Sequence, residues 1–241
     1  MKNNIVSIIT VTYNCEDTLE NTILSVINQS YFDSIEYIII DGKSTDGTIS
    51  IIKKYENAIS RWISEPDSGI FDAMNKGADL ATGIWVNYLN SGDELINNKV
   101  LEKIFVNKVY DVDILYGSTK ILFAKGYKIQ KPSEDITKLK KLLFFSHQSS
   151  FVKSELLKIY RFNTIYKFCA DYDLFYRLFK HCKKFKRIDI IVANYSAYEG
   201  FSFNNRKLSL KDVAKISGRN FILIYILFLI KKTLKSILGI H

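Results

Sequence analysis

Residues 35–48 read IEYIIIDGKSTDGT, an apolar run that gives way to small and acidic residues. The apolar part, residues 35–40, has the length of a buried strand. Three similar short runs lie at residues 5–11, 61–64 and 84–89. Between the four runs lie stretches in which the apolar residues have helical spacing, at residues 17–29, 45–55 and 70–80. This alternation with short connections predicts a parallel sheet that is covered by helices on both faces.

Polar residues follow all four predicted strands at the point where each strand ends. Parallel α/β sheets bind their ligands beyond the carboxyl ends of the strands. Four such turns therefore predict a site for a polar ligand, and carboxylates such as Asp93 suit Mg²⁺ or Mn²⁺, which also bind phosphate oxygens. The four turns are residues 12–14, 41–48, 65–69 and 90–93.

Two common phosphate-binding motifs are missing from the sequence. No G-x-G-x-x-G follows the first predicted strand. Gly42, Lys43 and Ser44 look like the end of a P-loop, but Tyr37 stands where that motif requires its first glycine. An acidic site of this kind is expected to hold a diphosphate through a divalent cation.

The composition is that of a folded globular protein, with 47% apolar and 24% charged residues among 241. Three widely separated cysteines argue against a zinc site or a disulfide framework. Residues 1–119 carry 9 Lys and Arg against 17 Asp and Glu, whereas residues 120–241 carry 25 against 8. The basic half suggests an anionic partner, such as a phospholipid surface or a phosphorylated substrate. The acidic half does not fit a protein that wraps around nucleic acid.

Several motifs, in this order, resemble family 2 glycosyltransferases of the GT-A fold: SIITVTYN at 7–14, IDGKSTDGT at 40–48 and NSGD at 90–93. Three further motifs narrow the resemblance to bacterial enzymes that add one sugar to lipid-linked O-antigen or exopolysaccharide intermediates. These motifs are EPDSGIFDAMNKG at 65–77, His147-Gln148 and CADYD at 169–173. The resemblance implies an α/β fold with a GT-A type, Rossmann-like, mostly parallel sheet flanked by helices. We expect a catalytic domain at 1–205 and a basic and apolar helical extension at 206–241.

The resemblance implies a role in binding the substrates for several of the matching residues. Thr12, Tyr13 and Asn14 are expected to line the nucleotide pocket, Asp41 to contact the nucleobase, and Asp46 to shape the same loop. Further residues expected to contact the donor or the acceptor are Asp67, Lys76, Asn90, Ser91, Gly92 and His147, together with Glu65 and Asp72. A structural or solvent-exposed position is the alternative for Asp72, Lys76 and His147.

The resemblance also implies a metal ligand and a catalytic base. Asp93 matches the last aspartate of the family's D-x-D motif, whose first aspartate is Ser91 here, and it is expected to bind Mn²⁺ or Mg²⁺. Asp171 matches the aspartate of the family's E-D motif, the base, and Ala170 stands in place of the glutamate. Asp173 is the second candidate for the base.

These residue types suit a sugar transfer that inverts the anomeric carbon in one displacement. A carboxylate takes the proton of the acceptor hydroxyl as the new bond forms. A cation stabilises the charge on the leaving nucleoside diphosphate. Asp171 also has an alternative role, because it lies at the start of a helix predicted over residues 172–182, where aspartates often cap the N-terminus.

The C-terminal part combines basic residues with the longest apolar run, residues 221–230. This run is about half the length needed to cross a bilayer. Apolar segments flanked by Lys and Arg are typical of helices that lie on anionic lipid, and a helix packed on the domain is the alternative. The flanking residues are Arg206, Lys207, Lys211, Lys215 and Arg219 on one side and Lys231, Lys232 and Lys235 on the other.

The first residues do not have the pattern of a signal peptide. We therefore expect a cytoplasmic protein that is peripheral to the inner face of the cell membrane. The resemblance implies a UDP-sugar as donor and an undecaprenyl-diphosphate-type glycolipid as acceptor. The motif Q-x-x-R-W, which marks processive relatives, is absent, so we expect one sugar to be transferred per acceptor.

Other functions remain as alternatives. Ser91 and Ala170 depart from the family pattern and favour a catalytically inactive scaffold protein that binds sugar nucleotides. A nucleic-acid-binding protein would leave the acidic turns unexplained, so no nucleic acid partner is expected. A nucleotidyltransferase would need a glycine-rich basic loop after the first strand, which this sequence lacks.

Overall fold

The computed structural model describes residues 5–196 and 205–237, with side chains up to residue 230. Its strands are β1 Val6–Thr12, β2 Ile35–Asp41, β3 Arg61–Ser64, β4 Trp85–Tyr88, β5 Glu94–Leu95, β6 Ile114–Leu122, β7 Tyr127–Gln130, β8 Ser150–Lys153 and β9 Phe185–Ser196. Within the described residues these nine strands form one sheet in the order β3-β2-β1-β4-β8-β6-β9-β5, and β7 pairs with β6.

Eight α-helices are present in the same described residues, and short 3₁₀ segments connect some of the elements. The α-helices are α1 Leu19–Ile27, α2 Thr48–Lys54, α3 Ile70–Leu80, α4 Val100–Phe105, α5 Ser154–Tyr160, α6 Ala170–Lys180, α7 Arg206–Ser217 and α8 Phe221–Ile237. The 3₁₀ segments are Phe32–Ser34, Glu56–Ala58, Ile136–Lys140 and His147–Ser149.

Strands β1 and β2 lie between two layers of helices, and all seven residues of each strand are buried. Side chains alternate between the faces of a strand. Ile8 therefore belongs to the same hydrophobic core as Leu19 of α1, whereas Ile9 belongs to the core that contains Met74 of α3. Burial on both faces explains why most residues of these two strands are apolar. The predicted sheet with helices on both faces is confirmed.

The sheet is parallel in its first half and mixed in its second half. β1 pairs in parallel with β2 and β4, and β2 pairs in parallel with β3. β8 is antiparallel to both β4 and β6. β7 is antiparallel to β6, and β5 is antiparallel to β9. β6 and β9 pair in parallel. The predicted parallel arrangement therefore describes β1–β4. β7 reverses direction because a short hairpin loop, with Gly126 at φ +80°, joins it to β6.

The predicted C-terminal extension consists of two helices that form a hairpin. Gly218 ends α7 in the left-handed conformation, at φ +67°, which glycine adopts without a steric penalty. α7 packs against the start of α6, where Asp212 Oδ2 accepts a hydrogen bond from Phe168 N at 3.1 Å. The predicted boundary between the catalytic domain and the extension, between residues 205 and 206, coincides with the start of α7. The division of the chain into two domains at this boundary stays a prediction.

Helix α8 leaves most of its apolar side chains in solvent. Among its described side chains Ile224 is buried, whereas six large ones are between 42% and 66% exposed: Ile222, Leu223, Ile226, Leu227, Leu229 and Ile230. The sequence left open a C-terminal helix that packs its apolar run, residues 221–230, against the domain. The exposure of these side chains shows that α8 does not bury the run in this way. In the part of the chain that the structure describes, no helix combines the length and apolarity required to span a bilayer.

Candidate active site

A cleft at the carboxyl ends of β1 and β4 contains two adjoining cavities. The larger has a volume of about 450 Å³ and lies between the end of β1 and the start of α3. The smaller has a volume of about 200 Å³ and lies between the turn after β4, the end of β9 and the start of α6. Both cavities are lined by Ile70, Phe71, Asn90, Ser91 and Lys167. Polar residues that follow different strands thus meet in one cleft.

The structure separates the predicted site residues into two groups. The residues that line the cleft are Thr12, Tyr13, Asp67, Asp72, Asn90, Ser91, Gly92, Asp93, His147 and Asp171. The residues outside the lining of both cavities are Asn14, Asp41, Asp46, Glu65, Lys76 and Asp173. Five of these residues form hydrogen bonds or ion pairs that hold the turns beside the cleft, and Asp173 pairs with Arg177 within α6.

Asp41 and Asp46 fix the loop that follows β2. Asp41 is fully buried, and its Oδ2 accepts hydrogen bonds from Ser44 N at 2.9 Å and Ser64 Oγ at 2.6 Å. Asp46 Oδ1 accepts a hydrogen bond from Thr48 N at 3.0 Å, and hydrogen bonding by Thr48 lowers the pKa of Asp46. Both carboxylates stabilise the loop, and a contact between Asp41 and the nucleobase stays a prediction.

Asn14 connects the turns that follow β1 and β2. Its backbone N donates to Ser44 Oγ at 2.8 Å, and its Oδ1 accepts from Thr45 N at 2.9 Å. Asn14 has φ +49°, in the left-handed region that asparagine tolerates better than most residues. The side chain thereby stabilises the pocket wall beside Thr12 and Tyr13.

Lys76 holds the loop that follows β3. Its Nζ lies 2.8 Å from Glu65 Oε1 and 2.8 Å from the backbone oxygen of Pro66. Interaction with Glu65 raises the pKa of Lys76. Asp67, in the same loop, accepts a hydrogen bond from Gly69 N at 2.8 Å and still lines the larger cavity. Lys76 therefore positions the loop that carries Asp67.

Helix α1 holds the turn that carries Asp93. Thr22 Oγ1 accepts a hydrogen bond from Gly92 N at 3.0 Å and donates one to Asp93 O at 2.8 Å. Asp93 N donates to Asn90 O at 2.9 Å, which closes the turn. Gly92 has φ +91°, a conformation that favours glycine.

Asp93 is a buried carboxylate in the smaller cavity, with 5% of its surface exposed. Burial raises its pKa to about 7, and the opposing effects of His147 and Gln148 are smaller. Desolvation disfavours the charged form of a carboxyl group. This side chain therefore needs a cation or a proton in its immediate surroundings at neutral pH.

His147 lies between Asn90 and Asp171. Asn90 Nδ2 lies 3.3 Å from His147 Nε2, and His147 Nδ1 lies 3.4 Å from Asp171 Oδ2. In this orientation of the Asn90 amide its nitrogen donates to Nε2, and Nδ1 then carries the hydrogen that points to Asp171. His147 and Asp171 are each about four-fifths buried, and the pair fixes the carboxylate at the wall of the smaller cavity.

The start of α6 places the two candidate bases in different surroundings. The helix begins at Ala170, and Cys169 is its N-cap, so Asp171 does not occupy the cap position that was its alternative role. Asp171 faces the smaller cavity. Asp173 instead pairs with Arg177, whose Nε lies 2.7 Å from Asp173 Oδ2, and it is absent from the lining of both cavities. Asp173 is therefore placed as a structural partner of Arg177.

The cleft also contains residues that the sequence did not single out. Lys167 lines both cavities, Thr164 the larger one and Tyr195 the smaller one. The available signal was weak: Lys167 is one basic residue four positions before Asp171, in a basic half of the chain. Tyr195 lies near the carboxyl end of β9, a strand that the sequence did not predict.

The donor atoms of the smaller cavity fit a hard divalent cation. Asp93 supplies a buried carboxylate, and Asn90 Oδ1 is buried without a hydrogen-bond partner among the described residues. Such oxygens suit Mg²⁺ and Mn²⁺. In the part of the chain that the structure describes, no cluster of three His, Cys, Asp or Glu could hold a metal by itself. A cation held here would need further ligands, such as water molecules or the oxygens of a diphosphate.

Sequence comparison relates the chain to known glycosyltransferases. Residues 7–175 match the family described as Glycosyl transferase family 2. A PGL/p-HBAD biosynthesis glycosyltransferase of Mycobacterium bovis is 31% identical over 206 residues, which cover 81% of this chain and 78% of that protein. The putative teichuronic acid biosynthesis glycosyltransferase TuaG of Bacillus subtilis is 41% identical over 102 residues, 41% of this chain and 40% of that protein.

Solved structures share the fold at low sequence identity. TarS 1-349 of S. aureus, in complex with UDP-GlcNAc, has a TM-score of 0.67 and 18% identity over 88% of this chain and 66% of that one. The mannosyltransferase PcManGT of Pyrobaculum calidifontis, in complex with GDP-Man and Mn²⁺, has a TM-score of 0.67 and 17% identity over 88% and 62%. This chain thus spans less than two thirds of either solved protein. On this evidence the chain is a glycosyltransferase of the GT-A fold and belongs to glycosyl transferase family 2.

Proposed function

We propose that this glycosyltransferase moves one sugar per reaction from a nucleotide sugar, a UDP-hexose, to a lipid-diphosphate-linked saccharide with inversion of the anomeric carbon. The observation that carries the proposal is the position of Asp171. Asp171 lines the smaller cavity, which adjoins the cavity that is large enough for a nucleotide. His147 contacts the carboxylate of Asp171 through Nδ1 and positions it.

The larger cavity is the proposed site of the nucleotide donor. Its volume of about 450 Å³ is typical of small-molecule sites. Tyr13 is 60% exposed at its wall, where an aromatic ring can stack on a nucleobase. Thr12 Oγ1 is buried without a hydrogen-bond partner among the described residues, and Asp67 lies nearby in the lining. The nucleotide sugars bound to TarS and PcManGT support a donor of this class.

In the proposed reaction an acceptor hydroxyl in the smaller cavity attacks the anomeric carbon. The bond between that carbon and the diphosphate oxygen breaks, and Asp171 takes the hydroxyl proton as the new bond forms. One displacement inverts the carbon. His147 keeps the accepting carboxylate in place, which limits the reorganisation that the step requires. A divalent cation held by Asp93 and Asn90 would supply Lewis-acid stabilisation of the charge on the diphosphate.

The proposed acceptor is a lipid-linked saccharide because basic and apolar surfaces lie together on the α7–α8 hairpin. Three α7 cations lie over aromatic rings of α8 at 5.5 to 5.9 Å, and the exposed apolar residues of α8 lie on the same hairpin. Helices of this composition bind anionic lipid surfaces. The three pairs are Arg206 with Phe228, Lys207 with Tyr225 and Lys211 with Phe221. We therefore propose that the enzyme works at the cytoplasmic face of the membrane.

A donor screen tests the proposed activity. Purified protein is incubated with Mn²⁺, a synthetic lipid-diphosphate-sugar acceptor and each common UDP-, GDP- and dTDP-sugar in turn. We expect the mass of one added sugar with one donor, and NMR of the product is expected to show the inverted anomeric configuration. Products with several added sugars would contradict transfer of a single sugar. Binding of no nucleotide at all would contradict the proposal as a whole.

Vesicle flotation tests the proposed membrane contact. Ile222→Glu combined with Ile226→Glu is expected to lower binding to phosphatidylglycerol-containing vesicles at least about tenfold, because each exposed isoleucine would otherwise bury apolar surface worth about 1.5–3 kcal/mol when fully covered. Ile159→Glu is the matched control, because Ile159 is 73% exposed on α5. Equal flotation of the double variant and the control would contradict this contact, as would a wild-type protein that does not float with anionic vesicles.

A further inference from the structure

Lys167 lies at the junction of the two cavities. It lines both of them, together with Asn90 and Ser91 from the turn after β4. In the proposed function the nucleotide occupies the larger cavity and the acceptor hydroxyl the smaller one. The bond that breaks must therefore lie close to this junction.

The described residues that line the cleft are unbalanced in charge. Asp67 and Asp72 line the larger cavity, and Asp93 and Asp171 line the smaller one. Lys167 is the one lysine or arginine among the described residues that line either cavity. A diphosphate would meet strong repulsion in this cleft unless cations stand beside it.

The ammonium group of Lys167 is not engaged elsewhere in the described part of the chain. In that part of the chain it forms no ion pair and no side-chain hydrogen bond, in contrast to Lys76, which pairs with Glu65. Its positive charge is therefore available to a ligand in the cleft.

The backbone on both sides of Lys167 is held in place. Asn163 accepts hydrogen bonds from Ile165 N at 3.2 Å and from Tyr166 N at 3.1 Å, which form a turn. Phe168 N donates to Asp212 Oδ2 of α7 at 3.1 Å. Lys167 thus extends from a backbone segment that is fixed on both sides, which lowers the backbone entropy lost when Lys167 binds an anion.

We propose that Lys167 binds the diphosphate of the donor and neutralises the charge that this group gains when the glycosidic bond breaks. The inference rests on the proposed function and deepens it. A charge-assisted contact between an ammonium group and a phosphate oxygen is stronger than a hydrogen bond between neutral groups.

Binding measurements with matched probes test this inference. Lys167→Met and Lys167→Arg are titrated calorimetrically with UDP and with uridine, and with GDP and guanosine, in the presence of Mg²⁺. Lys128→Met is the matched control, because it removes the same charge from the exposed strand β7. We expect Lys167→Met to weaken diphosphate binding at least about tenfold and to leave nucleoside binding unchanged, with partial recovery in Lys167→Arg.

The possible outcomes separate the inference from the proposed function. Equal binding of UDP and GDP by wild type and Lys167→Met would overturn the role of Lys167 alone. An equal loss of diphosphate and nucleoside binding would show that Lys167 supports the cavity and would overturn a diphosphate contact. A wild-type protein that binds neither UDP nor GDP would overturn the proposed function and this inference with it.

Discussion

Replacing Asp171 by Asn is expected to lower kcat by about 10³-fold and to change the affinity for the nucleoside diphosphate by less than about threefold. The amide keeps the size of the side chain but cannot take the acceptor proton. Asp171 lines the smaller cavity and not the larger one, so the nucleotide loses no contact. Single-turnover rates with the donor and acceptor found in the screen, together with UDP titration, measure the two quantities separately.

Asp173→Asn is the matched control for this prediction, because it makes the same chemical change two residues away in α6. Its carboxylate pairs with Arg177 at 2.7 Å and lies outside both cavities. We expect kcat close to wild type and a lower melting temperature, because a mostly buried ion pair is weakened. The reverse result, with Asp173→Asn inactive and Asp171→Asn active, would reassign the base.

Replacing Asp93 by Asn has two opposite effects, a loss of activity and a gain in stability of the metal-free protein. We expect kcat/KM with Mn²⁺ to fall at least about 100-fold, because an amide oxygen is a weaker ligand for a hard cation than a carboxylate. The stability gain follows from burial: Asp93 is 5% exposed, and its ionised form lacks a cation when no metal is bound.

The stability gain depends on pH in a defined direction. Burial raises the pKa of Asp93 to about 7 in the folded protein, compared with about 3.9 in an unfolded chain. The folded state therefore binds the proton more tightly, and wild-type stability falls as the pH rises from about 4 to about 7. At about pH 4 we expect the melting temperature of Asp93→Asn to be close to that of wild type. At about pH 8 we expect its free energy of unfolding to exceed that of wild type by about 1–4 kcal/mol.

Thermal unfolding in EDTA across this pH range measures the effect, and Asp33→Asn is the control because Asp33 is exposed. Addition of Mn²⁺ should raise the melting temperature of wild type more than that of Asp93→Asn. A variant that is less stable than wild type at about pH 8 in EDTA would show that the Asp93 carboxylate is already compensated within the protein.

The sequence predicted the first half of the fold closely because the relevant signals there are local. The strand predicted at 35–40 is β2, Ile35–Asp41, and the helix predicted at 70–80 is α3 with the same bounds. Apolar runs of strand length and helical spacing of apolar residues are properties of a few neighbouring residues. The polar turns were also local signals, and the rule for parallel sheets brought them to one edge.

The second half needed long-range pairing that the sequence did not reveal. β8 pairs with both β4 and β6, and β9 pairs in parallel with β6, across large separations in the chain. Alternation of strand and helix describes only consecutive parallel units, so it did not predict the antiparallel strands. The end of β9 completes the smaller cavity with Tyr195, and no motif pointed to that residue.

The sequence by itself determined the family, the parallel half of the sheet and most of the polar residues that line the cleft. Only the tertiary structure decided which of the acidic and basic candidates face the cleft. Asp171 and Asp173 are two residues apart, or about 200° around a helix, so one faces the cavity and the other faces Arg177. Lys167 lines the cleft because Asn163 and Asp212 fix the segment around it. The direction of a side chain depends on packing between distant segments, which the spacing of residues in one segment does not encode.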